Sequence, residues 1–289
     1  YPEELWIKEK QLKSLLQGSL EISDNIFSAI VPSPKPYHYR NRIDMKLKRV
    51  KDAGVLVGFT PAQKRGVIPV YACYIAEQSI SDFIPELKRQ AAARITAKHR
   101  EANLVVRTGD DGRVFWGGVG RRSCELPPKD YLWTRIGGRR IFYSLDTFFQ
   151  ANLSILPRLF EELRRLPVWQ EQPAFYDLYG GVGLFSVGMC DCARNMVLIE
   201  ETGASVKLAH YNAAHNKIDH LRIIQGRVED HLPGLLENQT QETAVAMIDP
   251  PRAGLSPEAC AFLAGMRRLD HLIYLSCNPE SLAVDLKGL

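Results

Sequence analysis

From about residue 140 onward the chain alternates apolar, strand-like runs with helix-forming segments, and this alternation constrains the fold more than any other feature. AFYDLYG, NMVLIE, LRIIQG, AVAMIDP and HLIYLSC are the strand-like runs, and GLFSVGMC, TGASVKLAHYNAAHN and SPEACAFLAGMR are helix-like. Strands joined by helical crossovers run parallel, and the helices cover both faces of the sheet. The expected fold is therefore α/β, a doubly wound and mostly parallel sheet whose ligands lie beyond the carboxyl ends of the strands.

The first half has another character. PEELWIKEKQLKSLLQGSL spaces Leu5, Leu12, Leu15, Leu16 and Leu20 as a helix ending near Gly18. RNRIDMKLKRV then alternates Ile43, Met45 and Leu47 with Arg42, Asp44, Lys46 and Lys48, a half-exposed strand with a basic outer face. VLVGF, GVIPVYA, NLVVRTG, RVFWGGVG and DYLWTRIGG continue as strands, broken by one helix, SISDFIPELKRQAAARITAK, with Ser79 or Ser81 as its expected cap. The expected division is a helix plus a strand-rich α+β domain over 1–137, then the α/β domain over 138–289. Residues 1–140 hold 25 Lys and Arg against 15 Asp and Glu, and the remainder 12 against 18. A basic half beside an acidic half suggests one part that meets a polyanion and another that does chemistry. Arg40, Arg42, Lys46 and Lys48 are the candidate polyanion contacts.

No apolar run approaches the ~18 residues of a membrane span. The six cysteines show no paired framework, which points to a reducing, cytoplasmic setting. A chain that begins at Tyr1 and stops at Leu289 is expected to be a fragment missing both ends.

The strand ends supply the chemistry. The first α/β strand ends in Asp177-Leu178-Tyr179-Gly180-Gly181-Val182-Gly183, where glycines let the backbone turn and approach a ligand. The second ends in Glu200, an acid placed to accept hydrogen bonds from ribose hydroxyls. That arrangement suits adenosine-type cofactors generally, and a glycine turn with no ligand is the plain alternative. The fourth ends in Ile248-Asp249-Pro250-Pro251-Arg252, a rigid turn at the rim, and the fifth in Ser276-Cys277-Asn278-Pro279. Asp249 and Cys277 should lie on neighbouring rims.

The set FFQAN (148–152), DLYGGVG (177–183), IDPPRAGL (248–255) and YLSCNPESLAVDL (274–286), with YRNRIDMKL (39–47), resembles the RNA uracil-C5 methyltransferase family over nearly the whole chain. The resemblance implies a Rossmann-like S-adenosylmethionine-dependent catalytic domain, methylation of a uridine at C5, and RNA as partner, with 23S ribosomal RNA favoured over tRNA, acting as a monomer. It implies Cys277 as nucleophile and Gln150, Tyr179, Glu200 and Asp249 as cofactor-binding positions. Cys73 matches the last of four cysteines that hold a 4Fe–4S cluster in many members. The other three have no counterpart here, so a cluster is expected only in a longer chain, and no metal in this one. The family usually has Cys at the position of Gly180 and often Asn at that of Leu184. Its proton-abstracting Glu lies beyond Leu289, so slow turnover is expected.

Three other readings compete with this one. A cytosine-C5 RNA methyltransferase would carry a cysteine in the fourth motif, and IDPPRAGL has none. An amino-group methyltransferase would carry an aromatic residue where Arg252 stands and would have no use for Cys277. A non-catalytic RNA-binding relative would keep the fold without the chemistry.

Overall fold

A computed structural model of the chain describes residues 1–51, 54–62, 66–96, 98–118, 121–237, 243–266 and 269–289. Two compact units are present, one made of Tyr1–Pro32 and Arg158–Leu289 and the other of Ser33–Pro157. Helix α1 (Pro2–Ser19) opens the first unit. The second unit holds β1 (Arg42–Val50), β2 (Gly54–Phe59), β3 (Ile68–Pro69), α2 (Gln78–Arg94), β4 (Glu101–Thr108), β5 (Val114–Gly117), β6 (Leu132–Ile136) and β7 (Arg139–Tyr143). Helix α3 (Leu156–Arg164) returns the chain to the first unit, which continues through β8 (Ala174–Leu178), α4 (Leu184–Gly188), β9 (Asn195–Glu200), α5 (Gly203–His215), β10 (Leu221–Gln225), α6 (Val228–Glu237), β11 (Ala244–Ile248), α7 (Pro257–Ala264), β12 (His271–Tyr274) and α8 (Pro279–Gly288).

In the second unit five antiparallel strands are ordered β3-β2-β1-β4-β5. The alternation in β1 sends Ile43, Met45 and Leu47 into a core shared with Ile80, Ile84, Leu87 and Ala91 of α2. Each of the buried Ile, Leu and Met side chains contributes roughly 1.5–3 kcal/mol. Helix α2 begins earlier than its serines suggest. Its N-cap is Glu77, with no side-chain cap. Ser81 is instead taken by the loop before the helix, accepting from the Cys73 N–H at 2.9 Å. The run GVIPVYA is strand only over Ile68–Pro69, and the end of RVFWGGVG, at 119–120, lies outside the described residues.

The boundary expected at 137/138 falls instead at the tip of a hairpin. β6 and β7 pair antiparallel from Ile136↔Arg139 outward, and Gly137 and Gly138 both have positive φ, 54° and 84°. Two consecutive left-handed residues make the tight turn whose twist matches paired strands. A cut there would sever the hairpin, so residues 138–157 stay with the strand-rich unit. Helix α1 belongs to the α/β unit, where it packs against α8.

The first unit is built on a parallel sheet ordered β10-β9-β8-β11-β12 and flanked by helices. β8 and β11 are buried at every residue, as expected of central parallel strands covered on both faces. The strand order reverses direction between β8 and β11, which places the crevice favoured by ligands at their carboxyl ends. Two helices were not anticipated. α6 carries Pro233 and Gly234 inside it, which hides its periodicity. α8 is announced by Asn278 as cap and Pro279 at its first position. No described helix is long and apolar enough to cross a membrane.

Candidate active site

Four rim segments follow one another along the carboxyl edge of the parallel sheet, after β8, β9, β11 and β12. After β8, the loop 179–183 turns through positive φ at Tyr179 (60°), Gly181 (55°) and Gly183 (86°). A non-glycine residue in this region is strained, and Tyr179 is held there between β8 and the glycines. The turn is closed by Gly183 N–H to the Gly180 carbonyl at 2.8 Å, and the Asn212 amide donates to the Val182 carbonyl at 2.8 Å. Beneath the loop Asp177, 1% exposed, accepts from the Ser186 N–H at 2.8 Å and from the Ser186 hydroxyl. Burial, reinforced by Asp249 and Glu200, pushes the Asp177 carboxyl up to about 7.

At the end of β9, Glu200 spans from its own strand to the glycine loop. One carboxylate oxygen accepts from the Gly181 N–H at 3.1 Å and the other from the Thr202 N–H at 2.7 Å. A Cβ on Gly181 would meet nothing within 4 Å, so the loop is open on that side. The chain thus offers a carboxylate with spare acceptor capacity beside an open glycine turn, which fits an adenosyl ribose. At Gly180 the situation is opposite. A Cβ would lie 2.5 Å from Leu198 Cγ, and Leu198 is fully buried. The departure from the family's usual Cys is therefore matched by a leucine filling that space.

β11 ends at Ile248, and Asp249 begins its rim loop, half-buried. β12 ends at Tyr274, and Cys277 stands exposed three residues beyond it. The turn is set by Ser276, whose hydroxyl accepts from the Asn278 N–H at 3.1 Å. Asn278 is the junction. Its side-chain oxygen caps α8 at the Glu280 N–H, and its amide nitrogen donates to the Arg252 carbonyl in the β11 loop at 3.1 Å. A second tie lies below. Asp285 of α8, 6% exposed, accepts from the Leu255 N–H at 3.0 Å and from the Tyr274 hydroxyl. Burial and that bond hold the Tyr274 phenol protonated. Gly254, at φ 85°, permits the approach: a Cβ there would lie 2.5 Å from Asp285 Oδ2.

Tyr179, Glu200, Asp249 and Cys277 therefore all sit at the carboxyl ends of β8, β9, β11 and β12, on one edge of one sheet. Gln150 belongs to the second unit. It lies in a loop built around Arg107, whose fully buried guanidinium donates to the carbonyls of Ser144 (2.8 Å), Thr147 (2.8 Å) and Phe149 (3.1 Å). Arg107 also lies 4.6 Å from the ring centroid of Tyr143, which stacks on Phe149 at 4.2 Å. Burial pushes Arg107 down to about 10, which leaves it charged at neutral pH.

The basic face of β1 is largely paired within the chain. Arg42 meets Asp44 at 2.9 Å, and Lys46 and Lys48 meet Glu101 at 2.6 and 3.0 Å. Cys73 is buried in the core of the second unit. Among the described residues no group of three or more His, Cys, Asp or Glu is arranged to hold a metal. Sequence reasoning missed Asp285 and Asn278, which hold the rim loops of the first unit, and Arg107, which holds the loop of Gln150 in the second. Only Asn278 carried a local signal, an Asn-Pro helix start; Leu255 lies 30 residues from Asp285, and the carbonyls that Arg107 serves lie 37 to 42 residues from it.

A family model of the tRNA (Uracil-5-)-methyltransferases matches residues 128–289. An uncharacterized RNA methyltransferase of Thermosynechococcus vestitus is 24% identical over 339 residues, covering 100% of this chain and 73% of the relative. The tRNA (uracil(54)-C(5))-methyltransferase of Schizosaccharomyces pombe is 26% identical, covering 99% of this chain and 55% of the relative. The tRNA/tmRNA (uracil-C(5))-methyltransferase of Pseudomonas entomophila is 23% identical, covering 100% and 89%. The crystal structure of Pyrococcus abyssi tRNA (uracil-54, C5)-methyltransferase, in complex with S-adenosyl-L-homocysteine, shares the fold at a TM-score of 0.75 and 22% identity, over 100% of this chain and 77% of that one. The rim motifs, the sheet that carries them and the match over more than half the chain lead to one statement: the chain belongs to the S-adenosylmethionine-dependent RNA uracil-C5 methyltransferase family.

Proposed function

We propose that this chain transfers a methyl group from S-adenosylmethionine to C5 of a uridine in RNA, with Cys277 as covalent nucleophile. The observation that carries the reading is the exposed Cys277 beside the Asp249 loop, the two rims being tied by Asn278. Glu200 and the open glycine turn bind the adenosyl ribose, Tyr179 flanks the cofactor, and Asp249 faces the boundary of cofactor and base. Gln150 takes its role from the FFQAN resemblance. The cofactor, when bound, supplies an electrophilic methyl group.

C5 of uracil is a poor nucleophile on its own. The Cys277 thiolate adds to C6, and the electron pair of the C5–C6 double bond becomes available at C5. C5 would take the methyl group as the donor's sulfonium S–CH3 bond breaks and leaves the thioether S-adenosylhomocysteine; a base then removes the C5 proton, and the C6–S bond breaks to restore the ring and release the thiolate. This splits one difficult step into easier ones. The target base must leave its stack to reach the cysteine.

The named relatives act on tRNA or tmRNA, which supports tRNA as the first substrate to test. The expectation of 23S ribosomal RNA rests on Cys73 alone. The trap is RNA carrying 5-fluorouridine, in which fluorine blocks the final elimination. With S-adenosylmethionine present, a denaturing gel should show a covalent complex that needs both cofactor and Cys277. A folded, cofactor-binding protein that forms no complex with tRNA or 23S fragments would overturn the covalent reading. A complex persisting in Cys277→Ala would overturn the choice of nucleophile.

A further inference from the structure

The second unit carries 22 Lys and Arg against 11 Asp and Glu, a formal charge of +11. Arg42, Lys46 and Lys48 of β1 are paired to Asp44 and Glu101, and Arg49 is turned onto the carbonyls of Ala92 and Ile95, so a polyanion contact is sought elsewhere on it. One surface stands out. Tyr37, Tyr71 and Tyr74 are 65%, 72% and 74% exposed, and they lie on two segments that run side by side. The His38 N–H donates to the Tyr74 carbonyl at 2.7 Å, the Arg40 N–H to the Ile75 carbonyl at 2.8 Å, and the Glu77 N–H to the Arg40 carbonyl at 2.7 Å.

These rings are held on a rigid base. Between them Cys73 and Ala76 point inward to the core, and the Cys73 N–H is fixed to Ser81. His38 sits at a strained φ of 51°, fixed by its ring nitrogen 2.8 Å from the Ala76 carbonyl, and its ring meets Tyr74 edge-on at 6.2 Å. Lys88 reaches over Tyr71, 5.9 Å from the ring centroid. Glu77 is the acid of the two segments, and Lys35 neutralises it at 3.0 Å. The strip also joins the loop of the FFQAN motif: Arg40 bridges to Ala76 on one side and to Asn152 on the other.

We infer that Tyr37, Tyr71 and Tyr74, with His38 and Lys88, form a stacking platform for unpaired bases of the substrate RNA. The inference rests on the RNA methyltransferase reading and deepens it. Exposed aromatic rings interleaved with cations, on a strongly basic unit, are what single-stranded RNA recognition uses: rings take the base faces and cations take the phosphates. Rigid mounting means that little ordering cost is incurred on binding. The occupant is RNA because the unit's charge complements a polyanion and because the strip is continuous with a family motif.

The test is binding of the full chain to a single-stranded RNA oligonucleotide and to a duplex of the same composition, across a salt series, for Tyr71→Ala, Tyr74→Ala, Tyr37→Ala and the three Phe counterparts. Each ring lies at the surface, so the variants should fold, as checked by circular dichroism and by S-adenosylmethionine affinity. The expected result is a loss of about 5- to 100-fold per alanine at Tyr71 and Tyr74, recovery to within about twofold with Phe, and an unchanged slope of log affinity against log salt. Duplex binding, where bases are already stacked, should be insensitive. Alanine variants that bind single strands like wild type would overturn the platform and leave the catalytic reading standing. A loss accompanied by a shallower salt slope and no Phe rescue would also overturn it. Self-association abolished by the alanines, with RNA affinity intact, would reassign the strip to contact between copies. Wild-type protein that binds cofactor but no RNA would sink both readings.

Discussion

Asp285 accepts the Leu255 N–H at 3.0 Å, and through that bond the helix following Cys277 is fastened to the loop following Asp249. The carboxylate also takes the Tyr274 hydroxyl. Replacing Asp285 by Ala leaves a buried N–H without its acceptor, at about 1–3 kcal/mol for each unsatisfied group. It also frees the two rims to shift. Asp285→Ala should lower the rate of 5-fluorouridine adduct formation by roughly 10- to 100-fold while leaving cofactor affinity within a few-fold. Asp285→Asn, which keeps an acceptor, should recover most of the rate. Equal rates for Ala and wild type would show that the tie does not position the cysteine.

The Asp177 carboxyl predicts a pH dependence of stability. Its folded value is about 7, well above that of an unfolded aspartate, so the folded state binds the proton more tightly. The stabilisation is fully present below about pH 4 and is lost as pH rises through about 7. Thermal midpoints measured from pH 5 to pH 8 should therefore fall more steeply for wild type than for Asp177→Asn, which stays neutral and keeps an oxygen for Ser186. Parallel curves would contradict the assignment.

Glu200 serves two backbone donors at once. Glu200→Gln turns one acceptor into a donor, so either Gly181 or Thr202 faces a like group. Cofactor affinity by calorimetry should fall at least about tenfold, or ~1.4 kcal/mol, with the thermal midpoint changed little. Unchanged affinity would remove Glu200 from the ribose site.

Arg107 predicts a stability effect with a functional tail. Arg107→Met keeps the length but orphans three carbonyls, each buried acceptor left unsatisfied costing about 1–3 kcal/mol. Chemical denaturation should show that loss. Arg107→Lys, lacking the planar fork that reaches several carbonyls, should recover only part of it. A near-neutral Met variant would mean that the loop bearing Gln150 is held by its backbone alone.

Periodicity revealed the parallel sheet because β8 and β11 are buried on both faces and had to be continuously apolar. It revealed β1 for the opposite reason, since one buried face forces alternation. The rim residues were legible because glycines and prolines punctuate strand ends. Hidden were features created by distant partners. Asp285 reads as one more polar residue in a helix until Leu255 is brought beside it. Arg107 reads as a surface cation until the hairpin of β6 and β7 folds over it. The strand-rich unit extends past 137 to Pro157 because Gly137-Gly138 is the turn of a hairpin whose second strand precedes the onset of strand–helix alternation.

The close fit of Gly180 against Leu198 has an evolutionary consequence. A Cβ at 180 would lie 2.5 Å from Cγ of the fully buried Leu198, so any side chain there collides with it. A route from this chain to a relative with cysteine at 180 must therefore change position 198 first, to something smaller. The reverse order passes through an overpacked intermediate that costs about 1–3 kcal/mol. The two positions are epistatic, and their identities should be inherited as a pair.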